Sequence, residues 1–172
     1  MIRPMQTAVA ALAVAALAAA ALAATPPKAG ISSFAELTTP LPYPYDETAD
    51  ADAAVAKARA RAKAAHKLLL IDLGGNWCGD CRILAGTAEL PSIRAFIDRH
   101  YTTVYIDVGR FDHNLQVPAR YGYTQRLKGV PTLIVVDPAT DKVLNPNDVF
   151  ALSDAGSMSP QALADWLTRW VR

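Results

Sequence analysis

Trp77-Cys78-Gly79-Asp80-Cys81 is the stretch that decides the fold, and it holds both cysteines of the 172-residue chain. Two cysteines three apart close a very short loop. A disulfide across so short a loop adds little chain-entropy stabilisation, so the pair points to redox chemistry or metal binding rather than to a structural staple. Upstream lies Leu68-Leu69-Leu70-Ile71-Asp72-Leu73, an apolar run that suits a buried strand, broken by Gly74-Gly75-Asn76. Downstream, Ile83, Leu84 and Ala88 recur at helical spacing. The cysteines therefore stand at a strand–turn–helix junction, with Cys78 at the helix N-terminus. Only a thiolate attacks a disulfide, and unpaired N–H groups at a helix N-terminus lower a thiol pKa. Cys78 is expected to be the exposed nucleophile. Cys81, one turn on and shielded, is expected to be the resolving thiol.

Working outward, a helix is expected over Asp46–His66, acids first and bases last, with Ala51, Val55, Ala58, Ala62 and Ala65 inward. The cysteine helix runs to Glu89 and continues past Pro91 through Ser92–Arg99 as one long kinked helix. Tyr101–Val108 and Thr132–Asp137 read as strands. Val117–Tyr121 reads as a short helix, Lys142–Leu144 as a return strand and Gln161–Val171 as a final helix. A helical crossover joins the first two strands and demands a parallel pair, whereas the hairpin demands an antiparallel one. The fold class is α/β, a central mixed β-sheet with helices on both faces.

Trp before the cysteine pair, the strand–turn–helix setting and the later Gly129-Val130-Pro131-Thr132 together resemble the thioredoxin superfamily, in the style of secreted bacterial members. The resemblance covers Ala53 to the C-terminus. It implies a thiol–disulfide oxidoreductase acting on protein disulfides, with Cys78 attacking, Cys81 resolving and Trp77 flanking the site. Pro131 matches the family's cis proline, which would present the Val130 backbone to a bound peptide. Asp72 matches a buried acid that takes a proton from the resolving cysteine; a structural hydrogen bond is the competing role for an aspartate in an apolar strand. Gly79 and Asp80 replace the Gly-Pro of thioredoxin. A carboxylate at Asp80 disfavours a thiolate, Arg82 favours one, and a reductase or isomerase is expected rather than a strong oxidant. Thr103 stands near the family's lysine position, and the segments 107–121 and 121–130 are longer than in thioredoxin.

Met1–Ala23 reads as a secretory signal: Arg3, an apolar run over Ala8–Leu22, then Ala21-Leu22-Ala23. An uncleaved anchor is the alternative, for which the run is short. The periplasm is the expected destination. Residues 24–45, with Pro26, Pro27, Pro40, Pro42 and Pro44, read as an extended leader anchored by Phe34, Leu37, Leu41, Tyr43 and Tyr45, and 46–172 as the domain. With 17 basic and 16 acidic side chains and no basic stripe, a nucleic-acid surface is not expected. Expected partners are protein thiol or disulfide substrates and a redox partner protein. The chain is expected to be monomeric and free of the membrane after signal cleavage. No cofactor beyond a Cys78–Cys81 disulfide is expected, and no metal. A zinc or copper site using two of His66, His100 and His113 is the rival reading but lacks a second short-spaced ligand pair. A thioredoxin-fold binding or chaperone module is the other.

Overall fold

A computed structural model of the protein describes residues 24–171; the expected signal segment lies outside the described residues. Helix α1 spans Ala51–Ala64, strand β1 Leu68–Gly74, α2 Gly79–Ala88, α3 Pro91–His100, β2 Tyr101–Asp107, α4 Gln116–Arg120, β3 Thr132–Asp137, β4 Lys142–Val143 and α5 Pro160–Thr168. The strands lie in the order β2-β1-β3-β4, with β1 and β2 parallel and the β1–β3 and β3–β4 pairs antiparallel. Asp72 sits mid-sheet, opposite Tyr105 on β2 and Leu133 on β3.

Side-chain alternation along β1 assigns the two faces. Leu69, Ile71 and Leu73 pack with Val55, Ala58 and Ala62 of α1 and with Val117 of α4. Leu70 packs on the other face with Leu84 of α2, Ile93 and Phe96 of α3, and Leu163 and Trp166 of α5. Both faces of the central strands are thus covered, as their near-continuous apolar sequence requires.

Four elements differ from the sequence reading. Helix α1 begins at Ala51 because the Asp50 side chain caps it, accepting the Ala53 N–H at 3.0 Å; Asp46–Ala49 forms a turn before it. Ala65 is consequently an exposed cap residue rather than a packed one. The expected kinked helix is two helices, because Leu90 leaves helical geometry and Pro91 starts α3 afresh. The return strand is only two residues long. The buried Asn145 side chain takes over its pairing, accepting Val135 N–H and donating to Leu133 C=O, each at 2.8 Å. Helix α5 stops at Thr168, and Trp170 packs from the turn that follows.

The leader lies along the α2–α3 side. Ala29, Leu37 and Tyr45 are buried in the core, whereas Tyr43 is 63% exposed. A Cβ on Gly86 of α2 would lie 3.1 Å from Leu41 Cδ2, so the small residue admits the leader against the helix.

Candidate active site

Chain geometry brings the site together at the C-terminal end of β1. Cys78 is the N-cap of α2, and its Sγ accepts the Cys81 N–H at 3.1 Å. The two cysteines form a disulfide, with Cα atoms 5.3 Å apart. The Val130–Pro131 peptide is cis, and the Val130 carbonyl oxygen lies 3.5 Å from Cys78 Sγ. Contrary to the expectation of an exposed nucleophile, Cys78 is only 5% accessible, against 0% for Cys81. The Val130 carbonyl covers one flank of its sulfur.

Trp77 is 42% exposed and fixed by its indole N–H, which donates to Gly109 C=O at 2.8 Å. The Arg110 guanidinium lies 4.3 Å over its ring, and Phe111 meets it edge-on at 6.2 Å. The loop after β2, one of the long segments noted in the sequence, therefore forms one wall of the site.

Asp72 is 3% exposed, and burial pushes its carboxyl up to about 7. Among the described residues its hydrogen-bond partner is the Tyr45 hydroxyl, which donates to Oδ1 at 2.8 Å and partly offsets that rise. Asp72 also lines, with Thr87, Thr103 and Tyr105, a cavity of about 20 Å³, room for about one water. Thr103 carries a buried hydroxyl with no hydrogen-bond partner among the described residues.

Two residues expected to tune the thiols are engaged elsewhere. Asp80 Oδ1 accepts the Gly156 N–H at 2.7 Å, tying α2 to the 3₁₀ turn Ala155–Ser157. Arg82 donates from Nη2 to Leu41 C=O at 2.8 Å and from Nε to Pro42 C=O at 3.2 Å, and stacks on Tyr43 at 3.8 Å. The reason is helical rotation: Arg82 is turned about 100° from Cys81, toward the leader. Gly79 opens α2, and a Cβ there would meet nothing within 4 Å. His66 and His100 precede β1 and β2, at the end of the sheet away from the cysteines, and His113 lies in the loop after β2. Among the described residues no three His, Cys, Asp or Glu side chains group as a metal site.

Sequence reading placed Tyr45 only as an anchor of the leader and missed Asn76. Asn76 clamps the Tyr45 backbone in both directions, accepting its N–H at 3.2 Å and donating to its C=O at 2.8 Å. The available signal was Asp72 itself, since a buried acid requires a donor; nothing in the spacing said that the donor lies 27 residues upstream.

A family model and a solved structure agree with this geometry. Residues 48–138 match the family model described as thioredoxin-like. A solved disulphide isomerase from Xylella fastidiosa Temecula1 is 38% identical, with a TM-score of 0.70 over 77% of this chain and 99% of that one. A Pseudomonas aeruginosa protein of unknown function is 18% identical over 67% of this chain and 81% of that one, with a TM-score of 0.35. No curated protein matches the sequence. A mixed sheet with helices on both faces, a paired CxxC at a helix N-terminus and the matches to the family model and the Xylella isomerase place the chain in the thioredoxin-like family, as a thiol–disulfide oxidoreductase.

Proposed function

We propose that the protein reduces or isomerises disulfides in other proteins, with Cys78 as nucleophile and Cys81 as resolving thiol. The observation that carries this reading is the Cys78 sulfur capping α2, its Sγ accepting the Cys81 N–H while Cys81 lies fully buried behind it. Among the described residues, the Cys81 amide and the helix end are the groups placed to favour a Cys78 thiolate once the pair is reduced. Arg82, the cation next in sequence, directs its Nε and Nη2 donors to leader carbonyls. Such moderate stabilisation suits a reductant or isomerase better than a strong oxidant, which needs a very stable thiolate.

In the reducing direction the Cys78 thiolate attacks one sulfur of the substrate disulfide. A Cys78–substrate bond forms, the substrate S–S bond breaks, and one substrate thiolate leaves with the electron pair. Cys81 then loses its proton and attacks Cys78 Sγ. The internal disulfide forms and the second substrate thiolate departs. A dithiol partner protein restores the reduced pair by the reverse exchange. Trp77 and the Val130 backbone flank the incoming peptide, and Asp72 takes the Cys81 proton. The chemistry uses no cofactor beyond the cysteine pair. The similarity to the Xylella isomerase supports the isomerase half of the reading, and the N-terminal segment of the sequence supports action in the periplasm.

Cys78→Ser is expected to abolish reduction of insulin disulfides. Cys81→Ser is expected to accumulate partners as mixed disulfides on Cys78, seen as adducts that dithiothreitol releases. A wild-type protein that neither reduces, oxidises nor isomerises any model disulfide sinks the proposal and favours a binding module.

A further inference from the structure

Tyr45 is the one described side chain from outside the β1–α2 unit that hydrogen-bonds the buried acid of the site. Its hydroxyl donates to Asp72 Oδ1 at 2.8 Å, and the residue is 3% exposed. The other flank of that hydroxyl is defined by Gly74. A Cβ on Gly74 would collide with the Tyr45 hydroxyl oxygen and would lie 2.7 Å from Tyr45 Cζ and 2.8 Å from Cys81 Sγ. The hydroxyl and the resolving sulfur therefore share the space over one glycine, and the same hydroxyl is bonded to Asp72. Tyr45 is held there from three directions. Asn76 clamps its backbone, Arg82 grips the nearby carbonyls of Leu41 and Pro42, and Tyr105 packs edge-on against its ring at 5.7 Å.

We propose that Tyr45 relays the proton between Cys81 and Asp72, so that the leader supplies a working residue of the active site. The inference rests on the thiol–disulfide reading above. When Cys81 must attack, its S–H proton passes to the Tyr45 oxygen while the Tyr45 O–H proton passes to Asp72. The products are a Cys81 thiolate, a neutral tyrosine and a protonated Asp72. The thiolate forms the bond to Cys78 Sγ, and the bond from Cys78 to the substrate breaks, its electron pair leaving with the substrate sulfur. When a dithiol partner later reduces the pair, Cys81 leaves as thiolate and regains the proton stored on Asp72 by the same path. Burial and Asp72 push the Tyr45 hydroxyl far above its ordinary range, so both transfers occur together and no phenolate forms. The ionisable groups around the relay are Asp72 on β1, Tyr105 and Asp107 on β2, Cys81 and Arg82 on α2, and Glu47, which Asn76 contacts at 3.5 Å.

The test is single-turnover reduction of a model disulfide peptide followed across neutral pH, with the lifetime of the mixed disulfide on Cys78 as readout. Tyr45→Phe is expected to form that adduct at the wild-type rate and to lengthen its lifetime by roughly a hundredfold or more, the lower end of the range for a lost proton-transfer group. Asp72→Asn should do the same, and the double variant should be no slower than the slower single one, since both act in one path. Fluorotyrosine at position 45 keeps the shape and changes the hydroxyl's acidity. It should move the pH dependence of adduct resolution, and it decides the matter if Tyr45→Phe does not fold. A wild-type lifetime and pH profile in both Tyr45→Phe and the fluorotyrosine protein, or additive slowing in the double variant, overturns the relay. Failure of the wild type to form any mixed disulfide overturns the thiol–disulfide reading instead, and the relay with it.

Discussion

Asp72 shows how one buried side chain couples chemistry to stability. Its carboxyl titrates at about 7 in the folded protein because burial penalises the charge. In the unfolded chain an aspartate titrates at about 3.9. Between these values the folded state holds more protons than the unfolded one, so this residue lowers stability progressively from about pH 4 to about pH 7 and by a constant amount above. The full cost at alkaline pH is on the order of 4 kcal/mol. Asp72→Asn keeps an acceptor for Tyr45 and removes the titration. Urea unfolding is expected to show the variant gaining on the wild type across that window and staying ahead above it. A difference between the two that is flat with pH would mean that Asp72 is not held neutral by burial. The same residue is poised to exchange a proton near neutral pH, so the instability is the physical counterpart of its proposed role.

Among the elements, the leader departs most from what composition suggests. Five prolines and no long apolar run describe a linker. Its fixation comes instead from α2, through Arg82 and the glycine at position 86, and from the turn residue Asn76. Arg82→Ala removes both carbonyl contacts and the stacking on Tyr43. It is expected to cost about 1–3 kcal/mol, the worth of hydrogen bonds from a charged donor. Amide exchange in residues 41–46 should rise, while exchange in β1 and β3 should not. Unchanged protection in the leader would show that Leu37 and Tyr45 hold it without Arg82.

For the whole molecule, the consequence is that the folding unit reaches upstream of Asp46. Ala29 and Leu37 are buried as deeply as residues of α1, and Tyr45 belongs to the cluster that contains both cysteines. Deleting residues 24–45 exposes apolar surface on α2 and α3 and leaves Asp72 without its donor. The shortened chain is expected to unfold at lower urea and to lose near-ultraviolet ellipticity, which reports fixed aromatic packing. A cooperative transition at the wild-type midpoint would return the leader to the status of a linker. Among the described residues no helix is long and apolar enough to cross a membrane.

The amino-acid sequence by itself determined the order of elements, the parallel crossover and the hairpin, because hydrophobic period and turn residues act locally. It also determined the pairing of the two cysteines, since one helical turn brings residues 78 and 81 together. Only the tertiary structure decided where the polar groups of the site point. Asp80 is taken by a backbone N–H 76 residues away and Arg82 by the leader 41 residues back, while Asp72 receives its donor from Tyr45. Each of these side chains is placed by the packing of elements distant in sequence. No local period encodes such a partner, so it becomes visible only when the sheet, the cysteine helix and the leader are seen together.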